Sequence, residues 1–141
     1  VKPSLEENGV KELFYKVKQK PGKPLFFGKK EEKLVFALPG NPAAALNCFY
    51  MYVLPAINIY LGNPKPFLSK VELPINQFYK KKSGRAEFLK AYSDGRNVKL
   101  LEGQGSDVLL SFSKANCLVF LDDDVVSLEQ GDVVEVHLLP E

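Results

Sequence analysis

The sequence predicts two regions: the closing part of a three-layer α/β domain over residues 1–65, then a small C-terminal β-barrel or sandwich domain over residues 66–141. Three observations carry this prediction. Residues 34–62, LVFALPGNPAAALNCFYMYVLPAINIYLG, hold no charged residue. They read as a short apolar strand, a sharp turn and a long apolar helix. Gly62-Asn63-Pro64-Lys65-Pro66 then gathers backbone breakers in one place. Beyond it the pattern is almost entirely strand.

Taken in order, residues 2–8 read as the end of a helix closed by Asn8-Gly9, with Gly9 as the C-terminal cap. Residues 12–18, ELFYKVK, alternate apolar and polar side chains, as in a half-exposed strand. Gln19-Lys20-Pro21-Gly22-Lys23-Pro24 is a loop, and residues 25–28 form a short apolar strand. The strand at 34–38 breaks at Pro39-Gly40-Asn41-Pro42. Asn41 is a good N-cap, because its side-chain oxygen can accept from a free N–H of the first turn. Pro42 suits the first helical position, where no N–H is required. Gly40 is expected to give the turn conformational freedom and to let the backbone approach a ligand. The stretch 34–62 has the length of a membrane span. Pro39, Pro42 and Pro55 interrupt it, and Asn41, Asn47 and Asn58 would be costly in lipid. A helix buried on most sides, bent or ended near Pro55, is therefore expected.

In the second region, residues 70–73 are an expected strand. Residues 85–92 and 97–101 flank Ser93-Asp94-Gly95-Arg96, a hairpin signal. Residues 106–116, SDVLLSFSKAN, space their apolar residues as a helix does, with Ser106 placed to cap it. Residues 117–121 are a buried apolar run. Residues 133–139 are expected to pair with a neighbour across the Gln130-Gly131-Asp132 turn.

Hydrophobic residues make up 45% and charged residues 26% of the 141, which is ordinary globular chemistry. The net charge of +2 is too near neutral to argue for nucleic acid. Its distribution says more. Residues 1–33 carry nine lysines against five acids, and residues 115–141 carry seven acids and no Lys or Arg. Local basic character favours an anionic small molecule as partner. Cys48 and Cys117 stand far apart and His137 is the single histidine, so a structural zinc site lacks ligands. Two thiols in apolar contexts point to a reducing cytoplasm. The chain opens without Met inside an expected helix, so a fragment of a longer protein is expected.

Lys20 and Lys23 bracket a Pro-Gly corner, where two ammonium groups on a stiffened loop can converge on one anion. A solvated basic turn explains the same residues. The Pro39–Pro42 turn opens an anion-binding geometry, since free N–H groups and the helix dipole point the same way. Capping alone also explains Asn41 and Pro42. Lys80-Lys81-Lys82 reads as a plain charged loop. Asp122-Asp123-Asp124 reads as an acidic turn, because the glycine and distal glutamate of a calcium loop are missing. His137 lies in an apolar alternating strand and reads as structural, so no Ser/His/Asp set can be assembled.

Together these pieces resemble a family. Lys20-Pro21-Gly22-Lys23-Pro24, Phe27-Gly28 and Leu38-Pro39-Gly40-Asn41-Pro42-Ala43 resemble the molybdopterin molybdenumtransferases, which include MoeA and the gephyrin E domain. Gly84-Arg85-Ala86-Glu87-Phe88 and Gly103-Gln104-Gly105-Ser106, with Ala115-Asn116, resemble that family's C-terminal β domain. The resemblance implies that residues 1–65 close a pterin-binding domain. It implies insertion of molybdate into adenylylated molybdopterin with release of AMP. Lys20, Gly22, Lys23, Pro39, Gly40, Asn41 and Pro42 would bind substrate, and Arg85 and Ser106 would act from the β domain. The family's acids associated with magnesium and its Gly-Gly-Ser loop would lie upstream, so no metal ligand is expected within this chain. The resemblance further implies a cytoplasmic homodimer for the full-length protein, with no nucleic-acid or membrane partner. The alternative is a scaffolding or receptor-binding module of gephyrin type without catalysis.

Overall fold

The computed structural model describes residues 1–82, 84–105 and 109–141. Its N-terminal part begins with helix α1 (Lys2–Glu7), which ends at Gly9 with φ +79. Strands β1 (Lys11–Tyr15), β3 (Phe26–Lys30) and β4 (Lys33–Ala37) form a three-stranded antiparallel sheet in the order β1-β3-β4. Phe14, Phe27 and Phe36 pack across it as tilted ring pairs, with centroids 5.5 and 4.6 Å apart. The expected strand over 12–18 stops at Tyr15, because Lys16 turns the backbone to φ 67.

The expected loop at 19–24 also differs. Gln19–Lys20 is strand β2, and it leaves the first sheet altogether. It pairs in parallel with β7 (Ala86–Ser93), Gln19 opposite Ala86 and Lys20 opposite Glu87. The N-terminal part thus supplies the edge of the C-terminal sheet.

That sheet runs β2-β7-β9-β11-β5, with β8 (Val98–Leu100) also paired to β7. Here β5 is Lys70–Pro74, β9 is Cys117–Leu121 and β11 is Val133–Leu138. The hairpin between β7 and β8 turns at Gly95, φ +88, with the Asp94 carboxylate accepting from the backbone of Arg96 and Asn97. β11 pairs with β5 and β9, not across the Gln130–Asp132 turn. The short strand before that turn, β10 (Ser127–Leu128), pairs instead with β6 (Tyr79–Lys80).

Side-chain alternation splits this sheet into two covered faces. Leu89, Ala91, Val119, Leu121, Val134 and Val136 form the main core on one face. On the other, Leu118 packs with Phe112 of helix α4 (Leu110–Ser113) and with Ala43. Burial on both faces explains why β7 is buried at five consecutive residues.

Ala43 belongs to α2 (Pro42–Cys48), which continues through a π-helical segment (Phe49–Val53) into α3 (Leu54–Tyr60). Pro55 has no N–H to donate one turn back, and the wider π turn precedes it without ending the helix. Residues 42–60 therefore form one helix, long and apolar enough by length and composition to cross a membrane. The expectation of burial on most sides holds only at its start. Ala43, Ala44, Asn47 and Cys48 are buried, whereas Ile57, Ile59 and Tyr60 are exposed.

Candidate functional site

Asn41 caps the helix as its sequence position requires. Its backbone is extended, and Oδ1 accepts from the N–H groups of Ala43 at 3.1 Å and Ala44 at 3.3 Å. Pro42 occupies the first turn. Pro39 is buried and Gly40 exposed. Both line a cleft of about 350 Å³ with Lys2, Tyr15, Pro24 and Leu38. Of the two reasons expected for Gly40, the need for conformational freedom is not observed. Its φ lies outside the left-handed range, and a Cβ built on it would meet nothing within 4 Å. No internal contact or backbone requirement explains a glycine there.

Gly22 is the opposite case. Its φ is +97, and a Cβ would lie 2.5 Å from Cys48 Sγ and 2.9 Å from Gln19 Nε2. The Lys20–Pro24 loop is clamped onto the helix at this glycine. Gln19 Nε2 donates to the Pro21 carbonyl at 3.1 Å, and Tyr52 Oη donates to Gln19 Oε1. Burial raises the Cys48 thiol to about 11 and the Tyr52 phenol to about 12, the latter also through the nearby Cys48. Both stay protonated at neutral pH, so this network is neutral scaffolding. The peptide bond between Lys20 and Pro21 is cis.

The clamp leaves Lys20 half-buried and Lys23 exposed. Arg85 is half-buried and directly precedes β7, whose first residue, Ala86, pairs with Gln19. β2 therefore brings the Lys20 loop and Arg85 onto neighbouring strands. None of these three cations makes an ion pair among the described residues. None of them lines the cleft beside Gly40. Ser106 lies outside the described residues.

Sequence reasoning missed a second anchored loop. Lys90, only 4% exposed, donates from Nζ to the carbonyls of Gly103 at 2.7 Å and Gly105 at 3.1 Å. Gln104 grips the Lys90 backbone in both directions, accepting from its N–H at 2.9 Å and donating to its carbonyl at 2.7 Å. The Gly103-Gln104-Gly105 motif is thereby fixed to β7. A lysine between Leu89 and Ala91, in an expected strand, was the available signal.

Several other charged groups have structural partners. Lys81 is buried and donates to the Asp122 carbonyl, which corrects the reading of 80–82 as a plain charged loop. Asp122, Asp123 and Asp124 are exposed, with carboxylate oxygens within 4.8 Å of one another. Lys18 lies 2.8 Å from Asp123 and holds its carboxyl below the usual range. His137 is buried against Phe88 and Phe120 and lies 2.6 Å from Glu135 Oε1. Burial holds its imidazole below the ordinary value, with Glu135 opposing.

Comparison with known proteins agrees with this arrangement. Residues 1–59 match the family described as a probable molybdopterin binding domain, and residues 73–139 match the MoeA C-terminal region, domain IV. The molybdopterin molybdenumtransferase of Haemophilus influenzae is 33% identical over 139 residues, covering 89% of this chain and 34% of that protein. That of Bacillus subtilis is 29% identical, covering 96% of this chain and 33% of that protein. The crystal structure of the molybdopterin biosynthesis MoeA protein of Pyrococcus horikoshii superposes with a TM-score of 0.78 at 26% identity, covering 94% of this chain and 33% of that one. A molybdenum cofactor biosynthesis protein of Pyrococcus furiosus gives a TM-score of 0.80 at 25% identity, covering 92% of this chain and 46% of that one. The chain spans about a third of the length of the curated relatives it matches along most of its residues. With both family regions matched in order, an α/β part followed by a β part, this chain belongs to the MoeA family of molybdopterin molybdenumtransferases.

Proposed function

We propose that this chain supplies part of an anion-binding substrate site in molybdenum cofactor biosynthesis. The reaction is that of a molybdopterin molybdenumtransferase: adenylylated molybdopterin is bound, molybdate enters its dithiolene and AMP leaves. The observation that carries this reading is that the β2–β7 pairing sets Lys20 close to Arg85, with Lys23 three residues further along the loop, and that none of these three cations has an ion-pair partner among the described residues. A phosphate-bearing substrate and an oxyanion co-substrate both need such groups. Charge-assisted hydrogen bonds to a phosphate are the strong kind. Gly40 adds support, since an open position with no internal need for glycine suits close approach of a ligand to the backbone. The floor is assigned to Pro39, Gly40 and the capped helix start, in a cleft that the three cations do not themselves line, and Gly22 acts by anchoring the lysine loop.

Magnesium, which the family resemblance implies, is not fitted by the residues described. The acidic group at Asp122–Asp124 is exposed, and Lys18 already compensates Asp123. No step is assigned to the metal here. Arg85 and Ser106 are proposed to act on the substrate from the β part. A homodimeric, cytoplasmic full-length protein without nucleic-acid or membrane partners completes the proposal. The gephyrin-type scaffold is not favoured, because the relatives carry the names of transferases and cofactor-synthesis proteins.

The test is a binding titration of the adenylylated pterin in the full-length protein. Lys23→Ala is expected to lose on the order of 1.5–3 kcal/mol, while Lys82→Ala, an exposed lysine, loses little. Equal losses for both, erased together by salt, would mean a diffuse basic surface and end the proposal.

A further inference from the structure

Asn47 is 1% exposed, and neither its amide nitrogen nor its oxygen has a hydrogen-bond partner among the described residues. A buried amide in that state is destabilising unless something meets it. Asn47 borders a small enclosed space of about 10 Å³, walled by Pro21, Phe88 and Phe112 and reached by Gln104 and Gly105. That volume is about one water-sized sphere.

We propose that Asn47 holds a single buried water that bridges the helix after Asn41 to the Gly103–Gly105 loop. The polar groups needed are present. The Asn47 amide offers two donors and an acceptor. Gln104 Oε1 accepts one bond, from the Lys90 N–H, and keeps a second lone pair. The Gly105 carbonyl accepts from Lys90 Nζ and likewise keeps one. A water accepting from Asn47 Nδ2 and donating to either oxygen gives the amide nitrogen its partner. Phe88, Phe112 and Leu118 leave no room or polarity for a larger ligand. Three segments meet at this point: the Lys20–Pro24 loop through Pro21, the helix through Ala43 and Asn47, and the glycine loop. The water makes Asn47 a positioning residue that ties them together. The inference stands apart from the substrate reading, since no pterin enters its test.

The experiment is NMR on the chain, recording water contacts to the Asn47 side-chain amide and hydrogen exchange across residues 101–105. The wild type is expected to show a long-lived water contact at that amide. Asn47→Leu, close in shape, is expected to expel the water, speed exchange across 101–105 and lower Tm by about 4 °C, the shift that loss of one hydrogen bond brings in a domain of this size. Asn47→Ser guards against a failure of the leucine variant to fold. It keeps a polar partner and is expected to exchange more slowly across 101–105 than Asn47→Ala. No water contact in the wild type overturns the proposal. So does a leucine variant with equal or higher Tm and unchanged exchange, because a dry, unpartnered amide improves when replaced by an apolar group.

Discussion

Residues 70–141 withdraw Ala91, Cys117, Val119 and Val136 completely from solvent in one cluster, whereas residues 1–62 leave Leu13, Leu34, Ile59 and Tyr60 facing it. The C-terminal part closes a core of its own. The N-terminal part gains much of its burial by leaning on that core. Ala43 packs toward Leu118 and Phe112, and β2 is added to the sheet edge. The lesson is that the junction holds the first region in place, and that Lys20, one of the residues expected to meet substrate, sits on that junction.

The sharpest way to break this comparison is at Gly22. Gly22→Ala drives a methyl group into Cys48 Sγ and Gln19 Nε2 at a backbone angle unsuited to alanine. Strain and overpacking together should cost about 3 kcal/mol, read by urea unfolding. Gly40→Ala meets nothing and should change stability by less than about 0.5 kcal/mol, while weakening pterin binding. Matching losses at both glycines would refute the claim that one is structural and the other faces a ligand.

A smaller effect is expected at the cap. Asn41→Ala removes the acceptor for two backbone donors and should lower stability by about 1 kcal/mol. Asn41→Ser should recover most of it. A serine variant no better than alanine would argue that the side chain does something other than cap.

The smallest effect should appear with pH, and it belongs to the C-terminal part. The folded state holds the His137 imidazole below its ordinary value mainly through burial. The unfolded chain therefore takes up the proton first as pH falls below about 6.5, and stability declines in that window. Above it the contribution is fully present. Between about pH 6.5 and 5, ordinary carboxylates do not yet titrate. His137→Gln should flatten the slope of unfolding free energy there, and an unchanged slope would remove His137 as its source.

Much of this architecture was legible in the sequence. The turn at 39–42, the hairpin at 93–96 and the run at 117–121 each follow from local chemistry: a cap, a positive-φ glycine, a strand covered on both faces. What escaped depended on distant partners. Gln19 and Lys20 look like loop because only β7, far along the chain, makes them strand. Lys81 and Lys90 look solvated because the carbonyls that receive them belong to other turns. Gly40 does not use the conformational freedom that its place in the turn suggests. Gly22 carries the steric demand instead, and only the position of Cys48 shows it.

The two-residue strand β2 also has a kinetic side. Its partner segment on β7 is itself held by β9 through Glu87 and Phe88. Docking Gln19 and Lys20 closes a long loop for very few hydrogen bonds, so the entropic cost falls due before the reward. This edge should assemble last and open first. Native-state exchange would then find the lysine corner releasing as a unit while β7, β9 and β11 stay protected. A protein arranged this way can loosen its lysine corner without unfolding its core.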